Sequence, residues 1–255
     1  MRLPSDWDKP SAENNAICES FLYGTFDHFG ELSYRLFVPK RRDRVPLVVF
    51  LHGADAYGDD NNLQLTMHDI GTVFARDNWQ VRHPCYVLAP QCRRGRHWAG
   101  LIDGNRVCAL VTSLLKQYDN IDTRRIYIYG YSAGGVGLLE VIKYHAEMFA
   151  GAVSICGATN RRDVASLVKT PLWLIHAADD LIVRASYKSD GGDIIHFGSR
   201  DLYEELKDVH PDIHYTEYET GYLKKRYGLN PHCSWVLAGH DEKMKEWLFS
   251  CRKDS

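Results

Sequence analysis

The residues of this chain that could do chemistry centre on one serine. Gly130-Tyr131-Ser132-Ala133-Gly134 follows the β-prone run Ile126-Tyr127-Ile128-Tyr129 and leads into Gly135, Gly137, Leu138, Leu139, Val141 and Ile142. A buried strand, a sharp turn and a helix start are expected, with Ser132 on the turn. In such a G-x-S-x-G turn the serine backbone is strained and its hydroxyl stands clear of the sheet. Small residues two positions either side let strand and helix nearly touch. Glycines are poor helix formers, so three at a helix start need a reason, and close packing of that helix on the sheet supplies one. A capping serine in a glycine-rich turn would leave the same short motif. The strand–turn–helix context favours a nucleophile.

A serine hydroxyl needs a base beside it, usually a histidine that a carboxylate orients. After an elbow of this kind the expected chain order is serine, acid, histidine. The apolar run Leu172-Trp173-Leu174-Ile175 ends at His176, and Asp179 and Asp180 follow in the next loop. Either can serve as the acid, and one is expected to cap a turn. Three late histidines are candidates for the base. His214 falls inside an expected strand, Ile213 to Tyr218, and His240 stands beside Asp241 and Glu242 at a helix start. His232 lies in the loop Gly228 to Trp235, where Pro231 fixes the approach and Trp235 can pack beneath, so His232 is the candidate base. The oxyanion would take the N–H of Ala133, next to the serine, and that of Ala54 in the loop His52-Gly53-Ala54-Asp55. His52 is read as an anchor for that loop. Trp98 and Tyr131 are candidates to line a substrate pocket, although Trp98 serves as well as a packed anchor. Gly58-Asp59-Asp60-Asn61-Asn62 lacks the ligand alternation and closing glutamate of a calcium loop and reads as a braced turn.

These groups must be held by a sheet. An N-terminal hairpin is expected from Phe21 to Phe26 and Leu32 to Val38. Further strands are expected over Leu47–Leu51, Cys85–Ala89 (stopped by Pro90), Ile126–Tyr129, Ala150–Cys156, Leu172–Ile175 and 213–218. Helices are expected over 69–75, around Val107–Leu115, after the elbow, through Leu202, Leu206 and Val209, and over 244–249. Alternating strands and helices with apolar strands imply a mostly parallel central sheet covered on both faces. With no linker or repeat, residues 1–255 read as one domain. About 15 residues join the strand ending at Cys156 to the one starting at Leu172, too few for a large cap, so an open site is expected.

Composition narrows the classes. Among 255 residues, 31 are basic and 33 acidic, spread without a block of either sign, so no nucleic-acid partner is implied. No apolar run is long enough for a membrane span. The N-terminal residues carry no apolar leader, and the seven cysteines are scattered and form no C-x-x-C pair. Cys85, Cys108 and Cys156 read as small core residues. A cytoplasmic location fits these features, with a mature secreted form as the alternative. No metal or organic cofactor is implied, and no feature specifies an oligomeric state.

Taken together, the motifs resemble the small α/β-hydrolases known as predicted peptidases or phospholipase/carboxylesterase-like esterases. These are related to feruloyl and acetyl xylan esterases and to the catalytic domain of prolyl oligopeptidases. The similar stretches are FLHGADAYGDDN from Phe50, LAPQC from Leu88 with Trp98 following, RIYIYGYSAGG from Arg125, FAGAVSICG from Phe149, PLWLIHAADDLIV from Pro171 and HCSW from His232. The resemblance implies an α/β-hydrolase fold without a large cap and a triad of Ser132, Asp180 and His232, with Ala54 as an oxyanion donor. It selects Asp180 over Asp179. The chain departs from the pattern at Ala133, where methionine is common, and at Ala177, which replaces a usual glycine. Residues from Ser189 to Ser199 read as an insertion. The implied activity is hydrolysis of a small-molecule carboxylic ester with a short or aromatic acyl group, through an acyl-enzyme. A serine peptidase for small peptides is the alternative, and a non-catalytic binding protein on the same fold is a third.

Overall fold

A computed structural model describes residues 9–41, 43–162, 164–188 and 196–254. Its strands are β1 (Leu22–Asp27), β2 (Glu31–Phe37), β3 (Val45–Leu51), β4 (Tyr86–Pro90), β5 (Ile121–Tyr131), β6 (Gly151–Ile155), β7 (Ala158–Asn160), β8 (Leu172–Ala177), β9 (His196–Gly198) and β10 (Ile213–Tyr218). Eight form one sheet in the order β1-β2-β4-β3-β5-β6-β8-β10, and β7 pairs with β9 apart from it. From β4 to β10 every pairing is parallel, and the hairpin β1–β2 adds an antiparallel edge. The sheet is therefore the α/β-hydrolase arrangement that the sequence predicts, and no large cap is inserted among the described residues.

Strand periodicity divides the core. Leu47, Val49, Leu51, Ile126 and Ile128 face the helices Leu101–Gln117 and Ala133–Tyr144. Val48, Phe50, Tyr127, Tyr129 and Tyr131 face the opposite layer, which includes Met244 and Leu248 of the helix Glu242–Ser250. Three tyrosines on one buried face need three hydrogen-bond partners. Tyr127 donates to Cys251 O at 3.0 Å, Tyr129 to Ile70 O at 2.9 Å and Tyr131 to Asp55 Oδ1 at 2.7 Å. The elbow strand thus ties three distant loops to the sheet.

Several local expectations are corrected. Residues 69–75 were expected to be helical, but only a short 3₁₀ turn forms at Asp69–Thr72. There Asp69 is drawn to Ser11 N–H and Arg76, and Thr72 to Asn14, so tertiary bonds override helical spacing. Pro90 is the last residue of β4 and does not stand beyond it. It pairs with Tyr34 past the point where β3 stops pairing with β4, where a missing N–H costs little. Val209 falls outside the helix Ser199–Leu206 and is exposed. Of the expected insertion, residues 189–195 lie outside the described residues. His196 to Gly198 form β9, and Ser199 opens the next helix. No helix among the described residues is long and apolar enough to cross a membrane.

Candidate active site

Ser132 sits between β5 and its helix with φ 52° and ψ −121°. Such a backbone costs of order 1–3 kcal/mol and persists only where its surroundings enforce it. Here Ser132 N–H donates to Ile155 O at 2.9 Å and Val136 N–H to Ser132 O at 2.9 Å. Gly134 lies so close to the end of β3 that a Cβ there would fall 1.9 Å from Leu51 O. The strain is built from the packing that the glycines permit.

The loops after β8 and β10 bring the partners in. Ser132 Oγ lies 2.9 Å from His232 Nε2, and His232 Nδ1–H donates to Asp180 Oδ2 at 2.7 Å. His232 is 7% exposed and Asp180 2%, while Ser132 is only half-buried. Residues 100 and 52 positions apart are thus aligned as donor, relay and acceptor. Asp179 is turned elsewhere, where its Oδ2 accepts Gly221 N–H at 2.8 Å. His214 stacks on Trp173 at 4.7 Å and bonds Asp212, and His240 is exposed, so neither reaches the serine. Trp235 packs against the His232 ring at 5.3 Å.

Asp180 is held by more than His232. Its Oδ1 accepts the N–H groups of Ile182 and Val183 at 2.9 and 3.2 Å. His176 Nε2 is 2.9 Å from Val183 O and 3.3 Å from Asp180 Oδ2. Both neighbours are acceptors, so that nitrogen carries the proton. Its Nδ1 is 2.8 Å from Ser199 Oγ. Burial alone would raise the Asp180 carboxyl, but the bonds from His176 and His232 outweigh it and hold the group far below the usual carboxylate range. Sequence reasoning missed His176 as a partner of the acid, although a histidine ending the acid-bearing strand was a visible signal. Cys156, with φ 41°, also has its sulfur within 4.8 Å of Asp180 and His232. Burial first, and the Asp180 charge second, push its thiol well up, so it stays protonated and does not compete with Ser132 as nucleophile.

The two residues expected to supply oxyanion donors both stand at helix starts. Ala133 is the first residue of the elbow helix and Ala54 the first of the 3₁₀ turn Ala54–Ala56. N–H groups at such positions have no partner within their own helix. His52 anchors the second segment. Its Nδ1–H donates to Gly53 O at 2.7 Å and its Nε2 accepts Cys92 N–H at 3.0 Å. The pocket expectation for Trp98 and Tyr131 is corrected. Both are 1% exposed. Trp98 donates to His52 O at 3.0 Å, and Tyr131 bonds Asp55, so both brace the loop from behind. The Gly58–Asn62 turn is braced as read, with Asp60 Oδ1 accepting Asn62 and Leu63 N–H and Gln91 Nε2–H. A concavity of about 1170 Å³ lies along the helix Leu101–Gln117, at Phe29, Arg106 and His145, and contains none of the three aligned residues.

Burial pushes the His52 imidazole down to about 4. Below the ordinary value of 6.5 the unfolded chain takes up a proton that the folded chain refuses until about pH 4. Stability present above pH 6.5 is therefore lost as pH falls through that window, by about 3 kcal/mol from this group. Urea unfolding between pH 7 and pH 4 should show this fall. A His52→Gln variant, less stable throughout, should show a fall smaller by that amount.

Comparisons with known proteins agree with the fold. A thermostable esterase of known structure superimposes with a TM-score of 0.84 and 38% identity over 93% of this chain, which spans 64% of that esterase's length. The acylaminoacyl peptidase of Pyrococcus horikoshii matches 90% of this chain and 41% of its own with a TM-score of 0.64. At 15% identity that likeness is one of fold. The profile of the prolyl oligopeptidase family matches residues 99–184, which include the elbow and the acid loop but not His232. No curated protein matches the chain. Sheet, elbow and these likenesses together show that the chain has the α/β-hydrolase fold.

Proposed function

We propose that the protein is a serine-dependent carboxylic ester hydrolase, and that Ser132, His232 and Asp180 are its triad. The observation that carries this reading is the pair of aligned contacts, 2.9 Å from Ser132 Oγ to His232 Nε2 and 2.7 Å from His232 Nδ1 to Asp180 Oδ2, on a strained elbow. In the proposed reaction Ser132 Oγ attacks the acyl carbonyl as its proton passes to His232 Nε2. Asp180 holds the imidazole in the tautomer that accepts this proton and stabilises the imidazolium. The N–H groups of Ala54 and Ala133 take the oxyanion. The proton then passes to the leaving alcohol, and an acyl-Ser132 ester remains. Water, deprotonated by His232, cleaves it and restores the serine.

Ester is favoured over amide because the 38% identity belongs to an esterase, whereas the acylaminoacyl peptidase shares only 15%. The lack of a large cap among the described residues suits short or aromatic acyl groups on a small alcohol or carbohydrate. The match to the prolyl oligopeptidase family keeps a peptidase as the second reading. The test is a panel of p-nitrophenyl esters from acetyl to decanoyl, with methyl ferulate and matched p-nitroanilides. Ser132→Ala is expected to lower turnover by at least about a thousandfold. Faster cleavage of the anilides than of the esters would move the assignment to the peptidase. Equal rates for wild type and Ser132→Ala would remove the hydrolase reading altogether.

A further inference from the structure

The two proposed oxyanion donors lie on segments that are 79 positions apart, and one pair of side chains joins them. Asp55 directly follows Ala54, and Tyr131 directly precedes Ser132. The Tyr131 hydroxyl donates to Asp55 Oδ1 at 2.7 Å, and His68 Nε2 lies 2.6 Å from Asp55 Oδ2. The ring of Tyr131 also lies directly under the loop, since a Cβ on Gly53 would fall 2.4 Å from its Cε2. Trp235 closes the cluster, with its ring 4.6 Å from Tyr131, 5.2 Å from His68 and 5.3 Å from His232.

An oxyanion hole requires two N–H groups aimed at one oxygen, each about 2.7–3.1 Å away. Each donor's direction is set by its own turn. Nothing within either turn sets the distance between them. That distance depends on how the loop after β3 sits against the elbow, and a displacement of about 1 Å in such a site can cost 100-fold. The Tyr131–Asp55 bond, one residue from Ala54 and two from Ala133, spans this gap.

We infer that the bond between the Tyr131 hydroxyl and the Asp55 carboxylate fixes the spacing of the Ala54 and Ala133 N–H groups, so that Tyr131 and Asp55 are positioning residues for the oxyanion. The inference rests on the proposed hydrolase reading. His68 steadies the carboxylate from its other side. Although burial opposes ionisation, the bonds from His68 and Tyr131 draw the Asp55 carboxyl below its usual range, so the acceptor is charged at neutral pH. A charged acceptor makes this a strong bond.

Tyr131→Phe tests the inference by deleting one oxygen and keeping the ring. The Asp55 side chain is 36% exposed, so water can take the vacated lone pair and the fold should persist. The expected result is a kcat lowered about 10- to 100-fold with KM within about twofold, the mark of an interaction made in the transition state. Inhibition by a trifluoromethyl ketone, which forms a tetrahedral adduct on Ser132, should weaken by the same factor. Asp55→Ala should match Tyr131→Phe. Asp55→Asn, whose amide oxygen still accepts from Tyr131, should recover most of the loss. A purely structural role would lower the melting temperature and leave kcat and inhibitor binding of the folded protein unchanged, and that result overturns the inference. A loss confined to KM would overturn it too, by making Tyr131 a binding group. Ser132→Ala is assayed alongside. If that variant still turns over ester, the hydrolase reading has failed. If it is dead while Tyr131→Phe is fully active, only the clamp has.

Discussion

Asp180→Asn is expected to lower kcat by about four orders of magnitude while leaving KM and the fold largely intact. The side chain of Asp180 is 0% exposed, and its Oδ2 faces both His232 Nδ1 at 2.7 Å and His176 Nε2 at 3.3 Å. Both are donors to a carboxylate. An amide has one oxygen and one NH₂, so it cannot accept at both corners: with its oxygen toward the two rings, its NH₂ faces the Ile182 and Val183 N–H groups, and with its oxygen toward those N–H groups, its NH₂ faces the rings. If its NH₂ turns to His232, the imidazole must carry its proton on Nε2, where it meets Ser132 as a donor and no longer as a base. If its oxygen stays on His232, the positive charge formed during attack still has no anion beside it. Water cannot substitute, because the corner is closed. Steady-state kinetics on p-nitrophenyl acetate, with circular dichroism to verify folding, would measure the effect. A loss of only a few-fold would mean that Asp180 is not the orienting acid.

Gly134→Ala is expected to cost more than about 4 kcal/mol and to leave little folded, active protein. A Cβ at this position would lie 1.9 Å from Leu51 O, 2.5 Å from Leu51 C and 2.7 Å from His52 O. Every one of these atoms is backbone at the end of β3, which is wholly buried and paired on both sides. The strand has nowhere to move, so the helix would have to lift from the sheet and take the elbow with it. Gly104→Ala is the matched control. Its nearest foreign atom would be Val141 Cγ2 at 3.1 Å, the end of a side chain, and alanine gains up to about 1 kcal/mol of helix propensity there. Urea unfolding of both variants reads the contrast. A Gly134→Ala protein as stable as wild type would show that the strand–helix contact is looser than drawn, and would weaken the account of why Ser132 is strained.

Two features of the site could not be read from the chain in the same way. His176 and Asp180 were both visible as chemically capable residues, but their meeting depends on the loop turning back so that Ile182 and Val183 N–H groups reach the carboxylate. Tyr131 and Trp98 were legible as aromatics near the serine and the oxyanion loop. Whether such a ring faces substrate or core is decided by what lies behind it. Gly53, Asp55 and His52 O take both rings inward. The 3₁₀ turn at Asp69–Thr72 has a similar cause. Its helical spacing was real, but Ser11, Asn14 and Arg76 compete for its polar groups.

By itself the sequence determined the parts whose signals are local. Strand–elbow–helix order, the glycines that permit it, the parallel sheet and the choice of Ser132 and His232 as candidates follow from short-range pattern, because periodicity and glycine placement act over a few residues. It narrowed the acid to two adjacent aspartates, and resemblance chose between them. Only the tertiary structure decided which carboxylate faces the histidine, since Asp179 and Asp180 differ by one position in a turn and point to opposite partners, Gly221 and His232. It also decided that the two segments proposed to hold the oxyanion donors are joined through Tyr131 and Asp55. Contacts between residues 76 positions apart depend on how two loops pack on one sheet edge, and no local pattern encodes that distance.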